Sequence, residues 1–118
     1  HIWRMGERLM DGLNKVARKV GVGFECHGIP AFPTLTFKHE DPTIQKQMYT
    51  LYLQEMAKRK VLPLSHMYIS YSHSEEDIDY TIDMSKETFE IMRQALDSGR
   101  FSDFLESGER KEGFRRLV

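Results

Sequence analysis

Little in this chain names a function at first sight. Its 118 residues include one cysteine, Cys26, so no internal disulfide can form, and a reduced, cytoplasmic setting is the expectation. No apolar run approaches the roughly 20 residues a membrane helix needs, and no stretch reads as a signal peptide. Neither sign of charge dominates: 17 Lys and Arg face 18 Asp and Glu, a net charge of −1. That balance argues against a nucleic-acid partner, which calls for a basic excess. A glycine-rich phosphate loop is missing too, because Gly21-Val22-Gly23 lacks a third glycine and precedes a strand instead of a helix.

Metal and nucleophile chemistry are equally thin. His27, His39, His66 and His73 fall near predicted strand ends, and no His-x-x-x-His pair occurs on a helix. Cys26 has no partner at metal spacing and reads as a packed side chain. Ser70, Ser72, His73 and Asp77 supply the residue types of a nucleophilic triad. The sharp glycine-flanked turn that presents such a serine is absent. No catalytic, cofactor-binding or metal-binding residue is therefore assigned on this chain.

What is present is a pattern. The chain is 40% apolar and 11% aromatic, enough for the core of one domain. Ile2, Met5, Leu9, Leu13, Val16 and Val20 recur every three or four residues, which predicts an amphipathic helix over 2–20 ending at Gly21. Gly6 and Gly12 weaken that helix or allow a neighbour to approach closely. Strands are predicted over 22–27 and 32–38, joined by the turn Gly28-Ile29-Pro30-Ala31, with Leu35 and Phe37 on one face and Phe32, Thr34, Thr36 and Lys38 on the other. Pro33 marks an edge or a strand start.

Asp41-Pro42 reads as an N-cap and first helical position of a helix to about Lys60, buried through Ile44, Met48, Leu51, Tyr52 and Met56. A third strand is predicted over 67–71. Ser74 and Asp77 form a capping box for a helix that buries Ile78, Ile82, Phe89, Met92 and Leu96, with Met84 to one side, and stops at Gly99. A short helix is expected over 101–106. The basic groups Lys15, Arg18, Lys19 and Lys58, Arg59, Lys60 sit where helices end, which suits the helix dipole. The order α-β-β-α-β-α predicts an α+β fold: a small three-stranded antiparallel sheet with helices packed on one face.

Several motifs together resemble one family. Arg4-Met5-Gly6-Glu7-Arg8-Leu9-Met10-Asp11-Gly12-Leu13, the turn Gly28-Ile29-Pro30-Ala31-Phe32-Pro33, the join Ser70-Tyr71-Ser72-His73-Ser74-Glu75-Glu76-Asp77-Ile78 and the ending Gly113-Phe114-Arg115-Arg116 are similar to the C-terminal small domain of class III aminotransferases. These are fold-type I enzymes that use pyridoxal phosphate (PLP), and the branch around glutamate-1-semialdehyde 2,1-aminomutase is the most similar. Ser74 stands where that branch has threonine.

The resemblance implies that residues 1–100 are the small domain and 101–118 its C-terminal extension. It implies PLP in the full-length parent, held as a Schiff base by a lysine of a large domain of the same chain, and none bound by this piece. It also implies a homodimeric parent with no nucleic-acid or membrane partner. Residues 62–67 would face the substrate cleft, with Ser65 and His66 as the cleft-side groups and the 28–31 turn nearby. Relatives acting on ornithine or 4-aminobutyrate carry a carboxylate-gripping arginine on the third strand. None lies between Lys60 and Met92 here, which favours the aminomutase-like branch. On this reading the chain is a fragment, inactive alone, that exposes apolar residues such as Trp3 and Ile2. The alternative is a free-standing α+β interaction or regulatory module without cofactor.

Overall fold

The computed structural model describes residues 1–61 and 74–106. Its elements are α1 (Ile2–Val20), β1 (Phe24–Ile29), β2 (Phe32–Phe37), α2 (Pro42–Lys58), α3 (Glu75–Ser98) and a 3₁₀ turn, Phe101–Phe104. The expected third strand, 67–71, lies outside the described residues, which hold a two-stranded antiparallel sheet.

The helix ends follow the local chemistry read from the sequence. Gly21 closes α1 in the left-handed region (φ 91°), with Arg18 and Lys19 in the last turn. Asp41 accepts the Thr43 N–H at 2.9 Å, with Pro42 behind it. At α3 the capping box is complete. The Ser74 hydroxyl accepts the Asp77 N–H and the Asp77 carboxylate accepts the Ser74 N–H, both at 3.1 Å.

The hairpin corrects the expected turn. β1 runs on to Ile29, which pairs with Phe32, so only Pro30 and Ala31 form the loop. Two features let the ladder continue. Gly28 takes the positive φ (98°) that a side chain would resist. It pairs with Pro33 at a position whose peptide groups point away from the partner strand, so the missing proline N–H costs no ladder bond.

One face of the hairpin and three helices share the core. Phe24, Cys26, Leu35 and Phe37 meet Leu9, Leu13 and Ala17 of α1, Met48, Leu51, Tyr52 and Met56 of α2, and Ile78, Phe89 and Met92 of α3. Phe24, Phe37, Tyr52 and Phe89 form a ring cluster with centroids 5.0–6.5 Å apart. The buried face of α3 differs from the expected stripe: Ser85 and Thr88 are fully buried, while Ile82 and Leu96 are half-buried; Met84, expected to one side, is half-buried too. Small hydroxyls fit there because they have partners. Ser85 and Tyr52 hydroxyls lie 2.8 Å apart, and Thr88 donates to the Met56 sulfur at 3.3 Å.

A second buried polar group ties residues 104–106 to α2. Glu55, 6% exposed, accepts from Gln54, Lys58 and Arg59. Gln54 in turn donates to the Phe104 carbonyl and accepts the Glu106 N–H. Burial alone would raise the Glu55 carboxyl, but the three donors outweigh it and hold it below its usual value of 4.5. A depressed folded value gives stability that is present above pH 4.5 and lost as pH falls through the folded value. The melting temperature is therefore expected to fall on acidification below that point. Glu55→Gln should flatten the acid limb in thermal melts run across the same pH range. An unchanged limb would assign the acid sensitivity to other carboxylates.

Candidate functional site

The cleft-side groups expected from the sequence, Ser65 and His66, lie outside the described residues, as does the rest of 62–67. The frame that carries them is described on both sides. Residue 61 closes α2 through a Val61 N–H bond to the Met56 carbonyl at 2.9 Å, and Ser74 opens α3. The segment between therefore has two locally fastened ends.

Both ends lie at one end of the molecule. Arg8 of α1 grips Asp79 with two hydrogen bonds of 2.8 and 2.9 Å and reaches Glu75 at 3.5 Å. These bonds hold Asp79 below the usual carboxylate range. The Tyr80 hydroxyl donates to the Arg59 carbonyl at 2.8 Å, joining the exit of α2 to the second turn of α3. The hairpin loop arrives there too, because the Pro30 carbonyl rests directly on Gly6. The structure thus brings the Pro30-Ala31 loop to the end where α2 stops and α3 begins.

The exposed large apolar side chains gather at this end as well: Trp3 (57% exposed), Ile29 (48%), Phe32 (40%) and Tyr80 (48%). Trp3 is exposed as expected, whereas Ile2 is half-buried against the core. The opposite end, where α1 stops, α2 starts and α3 stops, carries no exposed large apolar side chain among the described residues.

Sequence reasoning missed Asn14. Its amide donates to the Cys26 carbonyl at 2.9 Å and accepts the Cys26 N–H at 2.7 Å, standing in for a neighbouring strand along the outer edge of β1. A single asparagine on a helix gives no sign of that role. Cys26 itself is packed as expected, 1% exposed. Burial pushes its thiol up to about 12, so it stays protonated and unreactive. His27 and His39 are structural: His27 Nε2 lies 2.9 Å from the Thr36 hydroxyl, and His39 Nδ1 accepts the Asp41 N–H at 3.0 Å.

The described residues do not fit a seat for PLP. Lys15, Lys19, Lys38, Lys46, Lys58 and Lys60 are exposed and Lys86 is half-buried, so none sits in the dry pocket a Schiff-base lysine uses. The N-termini of α2 and α3, where a phosphate would otherwise rest, are capped by Asp41 and Ser74, and α3 opens with three acids. No group of three or more His, Cys, Asp or Glu is placed to hold a metal among the described residues. None of their helices is long and apolar enough to cross a membrane.

No family model matches the chain. It is 29% identical over 93 residues to 3-aminobutyryl-CoA aminotransferase from Cloacimonas acidaminovorans (strain Evry), a match covering 77% of this chain and 22% of that protein. The fold matches the FumI protein of Sphingopyxis sp. MTA144, solved in its PLP internal aldimine form, with a TM-score of 0.71 and 19% identity over 82% of this chain and 23% of that one. It also matches an omega-transaminase from Sphaerobacter thermophilus, with a TM-score of 0.69 and 14% identity over 78% of this chain and 24% of that one. The chain thus spans about a quarter or less of each relative's length. It is homologous to part of an aminotransferase, and its fold is one found within transaminase chains.

Proposed function

We propose that the chain is the small domain of a PLP-dependent aminotransferase, with 1–100 as the domain and 101–118 as its extension. One coincidence carries this reading: sequence similarity over 77% of the chain and fold similarity over 82% of it both fall on less than a quarter of the relatives. The rest of the parent is then a large domain that holds the cofactor and its lysine. When bound there, PLP supplies the electron sink for moving an amino group.

This domain's part is to cover one side of the substrate cleft, exclude water and present Ser65 and His66 at its rim. The apolar end formed by Trp3, Ile29 and Phe32 supports such packing, because exposed apolar groups gathered in one place favour a partner surface. The lack of an arginine between Lys60 and Met92 favours a substrate carboxylate held elsewhere, in line with the aminomutase-like branch. The parent works as a cytoplasmic homodimer, without nucleic acid or membrane.

The longer protein that contains this chain tests the reading. Purified with PLP, it should transfer amino groups from members of an amine-donor panel. Borohydride reduction and peptide mapping should place the cofactor on a lysine outside residues 1–118. Cofactor fixed to Lys15, Lys46 or any other lysine of this chain would overturn the assignment.

A further inference from the structure

Arg59 ends α2 and is tied to α3 by both its side chain and its backbone. Its Nε donates to the Glu87 carboxylate at 3.1 Å, and its carbonyl accepts the Tyr80 hydroxyl at 2.8 Å. Its Nη1 donates to the Glu55 carbonyl at 3.0 Å and to the Glu55 carboxylate at 3.1 Å, one turn back on α2. The Arg59 side chain is 21% exposed, so its pair with Glu87 is partly shielded from water and salt. Tyr80 and Glu87 lie two turns apart on α3, about 10 Å along its axis. One residue therefore holds the neighbouring helix at two heights, which fixes an angle as well as a distance.

A strained turn follows. Lys60 takes the left-handed region (φ 63°), which a residue with a side chain resists. Such a conformation persists where its surroundings hold it. Arg59 and Val61 N–H groups donate to the Met56 carbonyl and the Lys60 N–H to the Ala57 carbonyl, all at 2.9–3.0 Å. Those bonds fasten the turn to α2 itself. Among the described residues, Arg59 carries the polar bonds that fasten it to another helix. Tyr80 stands in the second turn after the Ser74 capping box. The Tyr80–Arg59 bond therefore sets the last turn of α2 against the first turns of α3.

We infer that Arg59 is a positioning residue for the substrate cleft: it holds the exit of α2 on α3, and with it the spacing of the two helix ends that flank the rim. The inference rests on the reading of the chain as an aminotransferase small domain. On that reading Arg59 touches neither substrate nor cofactor and acts through the placement of Val61 and Ser74. A rim held at the wrong spacing weakens contacts made alike to the substrate and to the transition state. KM is then the constant that moves, and kcat stays.

Two variants of the longer protein remove the tie through different atoms. Tyr80→Phe deletes the hydroxyl and keeps the ring, whereas Arg59→Ala deletes the guanidinium and keeps the carbonyl. Each should raise KM for the amino donor about 5-fold and change kcat less than about 2-fold, the scale of one lost hydrogen bond. Arg59→Lys, which keeps the charge beside Glu87, should recover part of the loss. Amide exchange on the same proteins reads the tie without substrate. The Lys60 and Val61 amides should exchange about 5-fold faster in Tyr80→Phe and Arg59→Ala, while the Asp77 amide in the capping box keeps its rate. Unchanged KM in a parent that transfers amino groups would overturn the inference, as would unchanged Val61 exchange. A fall in kcat as large as the rise in KM would mark a merely structural loss and also overturn it. A parent that transfers no amino group would overturn the proposed function instead, and the exchange rates would still decide whether Arg59 holds the turn.

Discussion

Gly6→Ala is expected to destabilise the domain by about 3 kcal/mol, read as a shift of the urea midpoint at constant slope. A methyl group at residue 6 would overlap the carbonyl oxygen and carbon of Pro30, which are backbone atoms of the hairpin loop. They can move only if the hairpin and α1 part. Alanine's better helix propensity returns about 1 kcal/mol, too little to reverse the sign. Gly12→Ala is the control within the same helix. Its methyl meets the far end of the Ile82 side chain, which is half-buried and can turn aside. Equal losses at Gly6 and Gly12 would show that helix crowding in general, and not the hairpin contact, sets the cost.

Asn14→Ala is expected to cost about 3 kcal/mol as well, by a different route. It leaves the Cys26 N–H and C=O without their partners at 2.7 and 2.9 Å, and each buried unsatisfied backbone group costs about 1–3 kcal/mol. It also uncovers the outer edge of β1, and a bare edge is a template for pairing between molecules. The variant should therefore melt lower and self-associate, with light scattering rising at concentrations where the parent sequence stays dispersed. A variant as stable and as dispersed as the parent sequence would show that water replaces the asparagine at no cost.

Both residues show where reading the sequence ends. Helices, caps and stops were legible because each depends on neighbours along the chain: Asp41 with Thr43, Ser74 with Asp77, Gly21 after Arg18 and Lys19. The close approach at Gly6 was legible only as one of two options, because the partner Pro30 is 24 positions away and proximity across a fold has no local pattern. The same holds for Asn14 with Cys26 and for Arg8 with Asp79, pairs joined by packing of α1 on the sheet and on α3. Ser85 and Thr88 were missed because a hydrophobic stripe is sought among apolar residues, whereas these positions are made burial-worthy by Tyr52 and Met56 on another helix. The extended β1 was missed because Gly28 and Pro33 signal a turn singly and a continued ladder only as a pair.

Of the expected site, the supporting frame was legible in the caps and stops beside it. Ser65 and His66 were singled out by resemblance, and the described residues bear on them only through the two anchored ends, Val61 and Ser74.

Those anchors have a consequence of another kind. α2 ends on bonds within its own last turn, including Val61 to Met56, with Lys60 in the left-handed region (φ 63°). α3 begins on a capping box made entirely within residues 74–77. Each closure is made among the residues at that helix end. The stop of α2 and the start of α3 are thus each written in the few residues beside them, so a change at 56–61 should shift one helix end and leave the other in place.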